Sequence, residues 1–174
     1  MQAVQEESMR RALDISEIAK QHYDLVYRFC ARRVGIDAAQ DAAQDTFLTA
    51  QRVLRKFRGD STLRTWLLGI ANNECRRLAR NRRLETPSIH LQDWTDDGGA
   101  NPAEMLVDRH ALTDALNKLS SEHREVVLLH EVEGLSYDEA AAIIGVPAGT
   151  VKSRLHHAFL NLRKSLQEYS GGVR

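Results

Sequence analysis

The stretch SYDEAAAIIGVPAGTVKSRLHH, residues 136–157, decides how the carboxy-terminal part of the chain folds. Ala141, Gly145 and Val151 stand in it at positions i, i+4 and i+10. A small residue lets two helices approach closely, a glycine supplies the backbone freedom of a turn, and an apolar residue packs the second helix back on the first. This spacing predicts a helix-turn-helix.

Both helices of this motif carry sequence signals for their starts. Ser136 and Glu139 have the spacing of a capping box, which opens the first helix, and Pro147 suits the first turn of the second. A helix of this kind can enter the major groove of DNA. The outer face of the second helix of the motif carries Lys152, Ser153, Arg154, His156 and His157. A plain pair of antiparallel helices with a solvated basic face is the alternative interpretation.

The remaining sequence also favours helices. Among 174 residues, 43% are hydrophobic and only 6% are aromatic, and apolar residues recur at steps of three and four. Helices are expected from Ile15 to Gly35, from an N-cap at Asp37 to Phe57, from Leu63 to Arg82-Arg83, from Met105 to Leu119 and from Val126 to Gly134. The predicted fold class is all-α.

This periodicity disappears in the middle of the chain. Residues 85–103 contain Asp96-Asp97-Gly98-Gly99 and Asn101-Pro102, which are typical of turns and linkers. We therefore predict two small helical domains, residues 1–84 and residues 104–174, joined by a flexible linker at 85–103.

The formal net charge is zero, but the charges are unevenly distributed. Residues 51–83 carry 10 basic and 2 acidic groups, and residues 148–174 carry 5 and 1, so these segments have net charges of +8 and +4. Segments 1–50, 84–114 and 115–147 have net charges of −2, −6 and −4. Two separate basic segments indicate two contacts with nucleic acid, while the acidic segments are available for another partner. Two solvated helix faces are the alternative.

Several functional classes lack their sequence signals. No apolar run approaches the roughly 18 residues that cross a bilayer, and no signal peptide opens the chain, so we expect a cytoplasmic protein without membrane insertion. Cys30 and Cys75 have no CxxC partner and are expected in the core. Phosphate-binding glycine loops and the common catalytic motifs are absent. We therefore predict no enzyme activity, no catalytic residue, no metal and no cofactor.

Four motifs follow one another along the chain. They are DAAQDTF at 41–47, FRGDSTLRTWL at 57–67, EGLSYDEA at 133–140 and VPAGTVKSRL at 146–155. In this order they closely resemble the extracytoplasmic-function (ECF, group IV) sigma factors of bacterial RNA polymerase, over roughly residues 18–168.

The resemblance implies that the amino-terminal domain binds core RNA polymerase and the minus-ten promoter element, and that the carboxy-terminal domain reads the minus-thirty-five element. For core polymerase it implies Asp41, Gln44, Asp45 and Phe47. For the minus-ten element, where a base is flipped out of the stack, it implies the loop residues Arg58, Gly59, Asp60 and Ser61. Asn72, Arg76 and Arg80 on the next helix are further candidates, because arginines can hold phosphates and amides can receive unstacked bases. For the minus-thirty-five duplex it implies Thr150, Lys152, Ser153, Arg154, His156 and His157.

Four positions depart from the family's usual residues. Asp45 stands where Glu is usual, Gln51 where Trp is frequent, Ser120 where Pro is common and His157 where Arg is often found. A neutral imidazole offers one donor and one acceptor, unlike the bidentate guanidinium that suits guanine. The base preference at this position is therefore expected to differ.

The partners that the resemblance implies are core RNA polymerase, promoter DNA as duplex and as melted single strand, and an anti-sigma factor. Two alternatives stand beside a sigma initiation factor. A stand-alone helix-turn-helix transcriptional regulator would leave the motifs at 41–67 without a role. A sigma mimic that titrates an anti-sigma factor would need no basic reading face.

Overall fold

The computed structural model describes residues 14–82 and 102–172, with side-chain surroundings for residues 14–81 and 110–169. These residues form helices joined by short turns, and no strand occurs among them. The prediction of an all-α fold is confirmed. The chain divides into two compact units, Met1–Glu85 and Thr86–Arg174.

The first unit contains three helices, α1 (Ile15–Val34), α2 (Ile36–Val53) and α3 (Leu63–Arg82), each of which packs against the other two. A short 3-10 turn, Leu54–Lys56, follows α2. The helical periodicity of the sequence places their apolar faces toward one another. The centre of the shared core consists of Val26, Phe29, Cys30, Leu67 and Leu68.

α1 and α2 meet at Gly35, which has backbone angles of φ 80° and ψ 162°. Glycine alone adopts this region readily, and it lets α2 begin at the very next residue. The N-cap expected at Asp37 is therefore wrong. Asp37 lies inside the first turn of α2, where the helix dipole favours an acidic side chain.

Both cysteines lie in the core of the first unit, as the sequence predicts. Cys30 is 0% exposed, Cys75 is 2% exposed, and both are free thiols. A hydrogen bond with Cys75, followed by burial, raises the pKa of Cys30. The Cys30 thiol therefore stays neutral and acts as a small apolar group.

The second unit contains α4 (Pro102–Lys118), α5 (Ser121–Val127), α6 (Tyr137–Ile144) and α7 (Ala148–Gly172), with a π-helical turn at Leu128–Val132. α7 is the central helix, because α4, α5 and α6 all pack against it. Fully buried side chains at this junction include Leu116, Val126, Leu129 and Val151. The linker expected at 85–103 lies outside the described residues as far as 101, and its last two positions already belong to α4.

α6, the following turn and α7 form the predicted helix-turn-helix. The capping box is present: Ser136 Oγ accepts from the Glu139 N–H at 3.2 Å, and Glu139 Oε2 accepts from the Ser136 N–H at 2.9 Å. Gly145 takes the left-handed conformation that ends α6, with φ 80° and ψ 38°. Pro147 precedes the first residue of α7 instead of lying in its first turn. Its carbonyl accepts from the Thr150 N–H at 2.9 Å, which makes it the N-cap.

Candidate nucleic-acid and polymerase interface

The predicted duplex-reading face lies on the first turns of α7. Val151 and Leu155 are buried inside the unit, so the opposite side of the helix faces solvent. Four of the predicted residues are exposed and two are partly exposed. The exposed ones are Lys152, Ser153, His156 and His157, and the partly exposed ones are Thr150 and Arg154. All six are accessible to a duplex.

Two residues of this face are held by the first turn of α5. Arg154 Nη2 lies 3.0 Å from Glu122 Oε1, and the Arg154 side chain is 22% exposed. The ring of His157 stacks on that of His123 with centroids 6.3 Å apart and planes 23° apart. α5 therefore contacts the outer face of α7 as well as its core.

The loop between the 3-10 turn and α3 carries the predicted base-capturing residues. Its tip, Arg58 to Ser61, is exposed at every position, and Gly59 has a φ of 79°. Thr62 caps α3 by accepting from the Thr65 N–H at 3.1 Å. Phe57 and Trp66 face each other across the base of the loop, with ring centroids 5.1 Å apart. The tip thus lies between an aromatic contact and the capped start of α3.

The predicted minus-ten residues on α3 differ in accessibility. Arg76 is partly exposed and Arg80 is exposed. Asn72 departs from the expectation, because its side chain is 0% exposed and lies in the core of the unit. Its amide nitrogen and oxygen find no hydrogen-bond partner there. In this structure Asn72 is therefore not presented to a DNA strand.

The predicted polymerase-docking face lies on α2. Asp41 and Gln44 are exposed, and Asp45 is partly exposed. Phe47 is partly buried and stacks on Tyr23 of α1 with centroids 6.1 Å apart. The face therefore combines acidic and amide groups with a fixed aromatic edge.

Asp45 belongs to a polar network that joins α2 to α3. Its Oδ2 lies 2.6 Å from Nη2 of Arg77, and the Nε of Arg77 donates to Glu74 Oε2 at 2.7 Å. The hydroxyl of Thr49 donates to the other Glu74 oxygen at 2.7 Å. Glu74, and to a smaller extent Asp45, raises the pKa of Arg77. The guanidinium is thus committed to two carboxylates.

Each of the two helical units matches a known protein family. The family described as sigma-70 region 2 matches residues 18–85, and that described as sigma-70, region 4 matches residues 109–162. The RNA polymerase sigma factor YlaC of Bacillus subtilis strain 168 is 34% identical over 164 residues, which span 91% of this chain and 95% of that protein. The ECF RNA polymerase sigma-E factor of Salmonella typhimurium LT2 is 32% identical over 162 residues, covering 86% and 83%. The chain belongs to the extracytoplasmic-function sigma factors. The resemblance found in the sequence is confirmed.

Solved structures agree with this membership. The sigma factor RpoE, in complex with the anti-sigma factor NepR from Bartonella quintana, matches with a TM-score of 0.66 and 26% identity over 87% of this chain and 96% of that one. CnrH, in complex with the cytosolic domain of CnrY, matches with a TM-score of 0.63 and 26% identity over 88% of each chain. Both units of this sigma factor are therefore covered by each likeness.

The sequence analysis did not identify two polar residues that stabilise the second unit of this sigma factor. Arg124 is 7% exposed and caps the end of α4, where its Nε donates to the carbonyl of Leu116 at 3.0 Å and its Nη2 donates to that of Asn117 at 2.6 Å. Ser120, where the family often has Pro, caps α5 by accepting from the His123 N–H at 3.3 Å. The serine at this position was a visible N-cap signal, whereas nothing in the sequence marks Arg124 as buried.

An apolar groove runs between α4 and α7 of this sigma factor. It is lined by Leu112, Phe159, Leu162 and Leu166, with Arg163 at its edge. Phe159 is 46% exposed, which is unusual for a large aromatic side chain. The groove lies on α7 beyond the duplex-reading face and is open to a second molecule.

Within the described residues, no group of three histidine, cysteine, aspartate or glutamate side chains could hold a metal ion. No helix among the same residues is long and apolar enough to cross a membrane.

Proposed function

We propose that this sigma factor binds core RNA polymerase, directs it to specific promoters and assists their melting. One observation carries the proposal. A single chain presents an accessible helix-turn-helix face in one unit. Its other unit presents an exposed loop tip and a polar helix face. Membership of the sigma factors extends over both units.

We assign recognition of the minus-thirty-five duplex to α7. Lys152 and Arg154 supply positive charge for phosphates and base edges, and Thr150, Ser153, His156 and His157 supply shorter polar groups. The segment that contains them, residues 148–174, has a net charge of +4. A helix with this charge and exposure fits the major groove.

We assign capture of the melted minus-ten strand to the first unit. Extruding a base costs a few kcal/mol, so an open pocket of backbone and small polar groups is needed to hold it. Gly59, Asp60 and Ser61 form such an exposed tip, and Arg58 with Arg76 and Arg80 supplies charge for the backbone.

We assign docking on core polymerase to α2. Asp41, Gln44 and Asp45 lie on one face at i, i+3 and i+4, and Phe47 borders them. The accessible oxygens of these side chains can accept hydrogen bonds from donors on core polymerase, such as arginine or lysine. Oδ2 of Asp45 is occupied by Arg77, which leaves Oδ1 for the partner.

We infer that an anti-sigma factor is a further partner. The neighbouring structure of RpoE is a complex with an anti-sigma factor. The apolar groove between α4 and α7, with Phe159 half exposed, offers an amphipathic helix a surface of the kind used in helix-in-groove recognition. We further infer that this sigma factor acts in the cytoplasm and catalyses no reaction of its own.

The test uses holoenzyme reconstituted from the full chain and core polymerase, with two DNA templates. One is a duplex with the upstream element, and the other is a single-stranded minus-ten oligonucleotide. Lys152→Ala should weaken duplex binding and lower its salt slope by roughly one unit, with little change on the single strand. The pair Asp60→Ala and Ser61→Ala should do the reverse.

Each variant serves as the control for the other, since both change exposed side chains. Equal losses on both templates would contradict separate roles for the two surfaces. A chain that binds the duplex alone, and does not bind core polymerase, would be a stand-alone regulator. A chain that binds core polymerase but supports no promoter-specific complex would be a mimic.

A further inference from the structure

The contact between α5 and the reading face of α7 has a geometry that the helix-turn-helix itself does not require. Two consecutive residues of α5, Glu122 and His123, contact Arg154 and His157, which are one turn apart on α7. Residues three apart lie on the same side of a helix. The first turn of α5 therefore touches the two longest side chains on that side at once.

The ion pair leaves Arg154 able to contact DNA. A guanidinium carries five N–H donors in a planar fork, and the 3.0 Å contact with Glu122 engages one terminal nitrogen. The Arg154 side chain is still 22% exposed, so part of it is accessible to DNA. Glu122 is 64% exposed, and exposed ion pairs add little to stability. The consequence of this pair is therefore the direction in which the guanidinium points.

The histidine pair acts on the neighbouring position. His157 is exposed, and its ring lies nearly parallel to that of His123. His123 is partly buried, and its Nδ1 is buried without a hydrogen-bond partner. Stacking on His123 favours one plane for the His157 ring, which restricts the directions in which its ring nitrogens can point.

We propose that Glu122 and His123 are positioning residues that set the base specificity of Arg154 and His157. The proposal rests on the proposed function of α7. An arginine held in one direction loses less conformational entropy on a base edge that fits it. The carboxylate beside it also weakens contacts of the guanidinium with phosphates, which carry no sequence information. Both effects favour the correct sequence over random DNA, so specificity is determined partly outside the recognition helix.

The experiment measures the ratio of holoenzyme affinities for the preferred upstream duplex and for a scrambled duplex of equal length. A randomised upstream library first identifies the preferred sequence. Glu122→Gln removes the charge and keeps the length, whereas Glu122→Asp keeps the charge and shortens the reach. We expect both to lower the ratio by about threefold to tenfold, a part of the discrimination that a well-placed guanidinium gives. His123→Ala should broaden the library preference at the His157 position.

Two controls separate positioning from charge and from folding. Glu168→Gln removes an exposed carboxylate 14 residues beyond Arg154 on α7, about 21 Å along the axis, and should leave the ratio unchanged. In an Arg154→Ala background, Glu122→Gln should no longer change the ratio. Unaltered helical circular dichroism shows that the variants are folded.

The outcomes are distinct. If Glu122→Gln raised the affinity for both duplexes equally and Glu122→Asp changed nothing, Glu122 would act only as a repelling charge and the proposal would be overturned. An effect that persisted in the Arg154→Ala background would overturn it as well. If the unaltered holoenzyme showed no preference in the library at all, the proposed function of α7 would itself fail.

Discussion

Gly35 and Gly145 both have positive φ, but they differ in what an added side chain would cost. Gly35 lies at φ 80° and ψ 162°, a region that is essentially closed to other residues, whereas Gly145 lies in the left-handed helical region. We expect Gly35→Ala to lower the free energy of unfolding of the first unit by about 2 kcal/mol. Gly145→Ala should lower that of the second unit by about 1 kcal/mol. Hydrogen exchange of the full chain assigns each loss to its unit.

Gly149 is the matched control. It has an ordinary φ within α7, and an added methyl group would meet no atom within 4 Å. Gly149→Ala should therefore stabilise the second unit by about 0.5 kcal/mol. A loss of stability there would show that backbone conformation does not decide these three substitutions.

Asp41 and Gln44 provide the sharper test of polymerase docking, because both are exposed, whereas Asp45 is only partly exposed and joins α2 to α3 through Arg77. Replacing Asp41 and Gln44 with Ala should weaken binding to core polymerase about tenfold or more, as expected for central interface residues. The Asp45–Arg77 pair stays intact in this variant. Binding is measured by fluorescence anisotropy, with circular dichroism to verify folding.

Arg80→Met is the control for this docking test, since it removes an exposed charge from α3 on the same unit. It should leave core affinity unchanged. Unchanged affinity in the folded Asp41 and Gln44 variant would remove α2 from the polymerase interface.

The burial of Asn72 could not be predicted from the sequence. The exposure of Lys152, His156 and the loop tip follows from their helical or turn positions, and the structure agrees. Asn72 stands on an arginine-rich helix, and its placement depends on which side of α3 faces α1 and α2. Polar residues on several sides of one helix leave that choice to tertiary packing.

The capping box of α6 is the element whose contribution can be measured most directly. Ser136→Ala removes the acceptor for the Glu139 N–H and should lower the free energy of unfolding of the second unit by about 1 kcal/mol. Glu139→Gln can still reach the Ser136 N–H, so its cost should be smaller. Urea denaturation followed by circular dichroism gives both values.

Ser153→Ala is the control for the Ser136→Ala stability measurement. Ser153 is exposed inside α7, where alanine is the better helix former, so stability should stay equal or rise slightly. If Ser153→Ala cost as much as Ser136→Ala, the loss would reflect general sensitivity of the unit and not the cap.

The sequence predicted most of the helices, but it misplaced the starts of α2 and α5. The three- and four-residue steps predicted α1 to α4, and the helix-turn-helix spacing predicted α6 and α7. The helix expected from Val126 to Gly134 starts earlier, at Ser121, and continues as a π-helical turn from Leu128. The start of α2 was misplaced because Gly35 turns the chain within one residue, a conformation that periodicity does not encode. Arg124 was missed because its role depends on the carbonyls at the end of α4, which are distant in sequence.

At the scale of the whole molecule, the distribution of charge separates the two DNA-contacting segments from the rest. Residues 51–83 and 148–174 carry net charges of +8 and +4, and the other segments carry the compensating −12. A sequence of zero net charge could thus be predicted to contact DNA twice. Charge alone did not separate DNA contact from solvation, and it is the membership of the sigma factors that favours contact.

The two-unit organisation leads to a final prediction. The boundary between the two compact units falls between Glu85 and Thr86, next to the stretch where helical periodicity ends. Residues 84–108 contain no lysine or arginine, so trypsin has no site there, whereas chymotrypsin can cut after Trp94. We expect brief chymotrypsin treatment to cut first near Trp94 and to spare Trp66, which lies in α3 and packs on Phe57. Mass spectrometry identifies the products. First cleavage at Trp66 would mean that α3 opens more readily than the connecting stretch, and the division into two stable units would then be wrong.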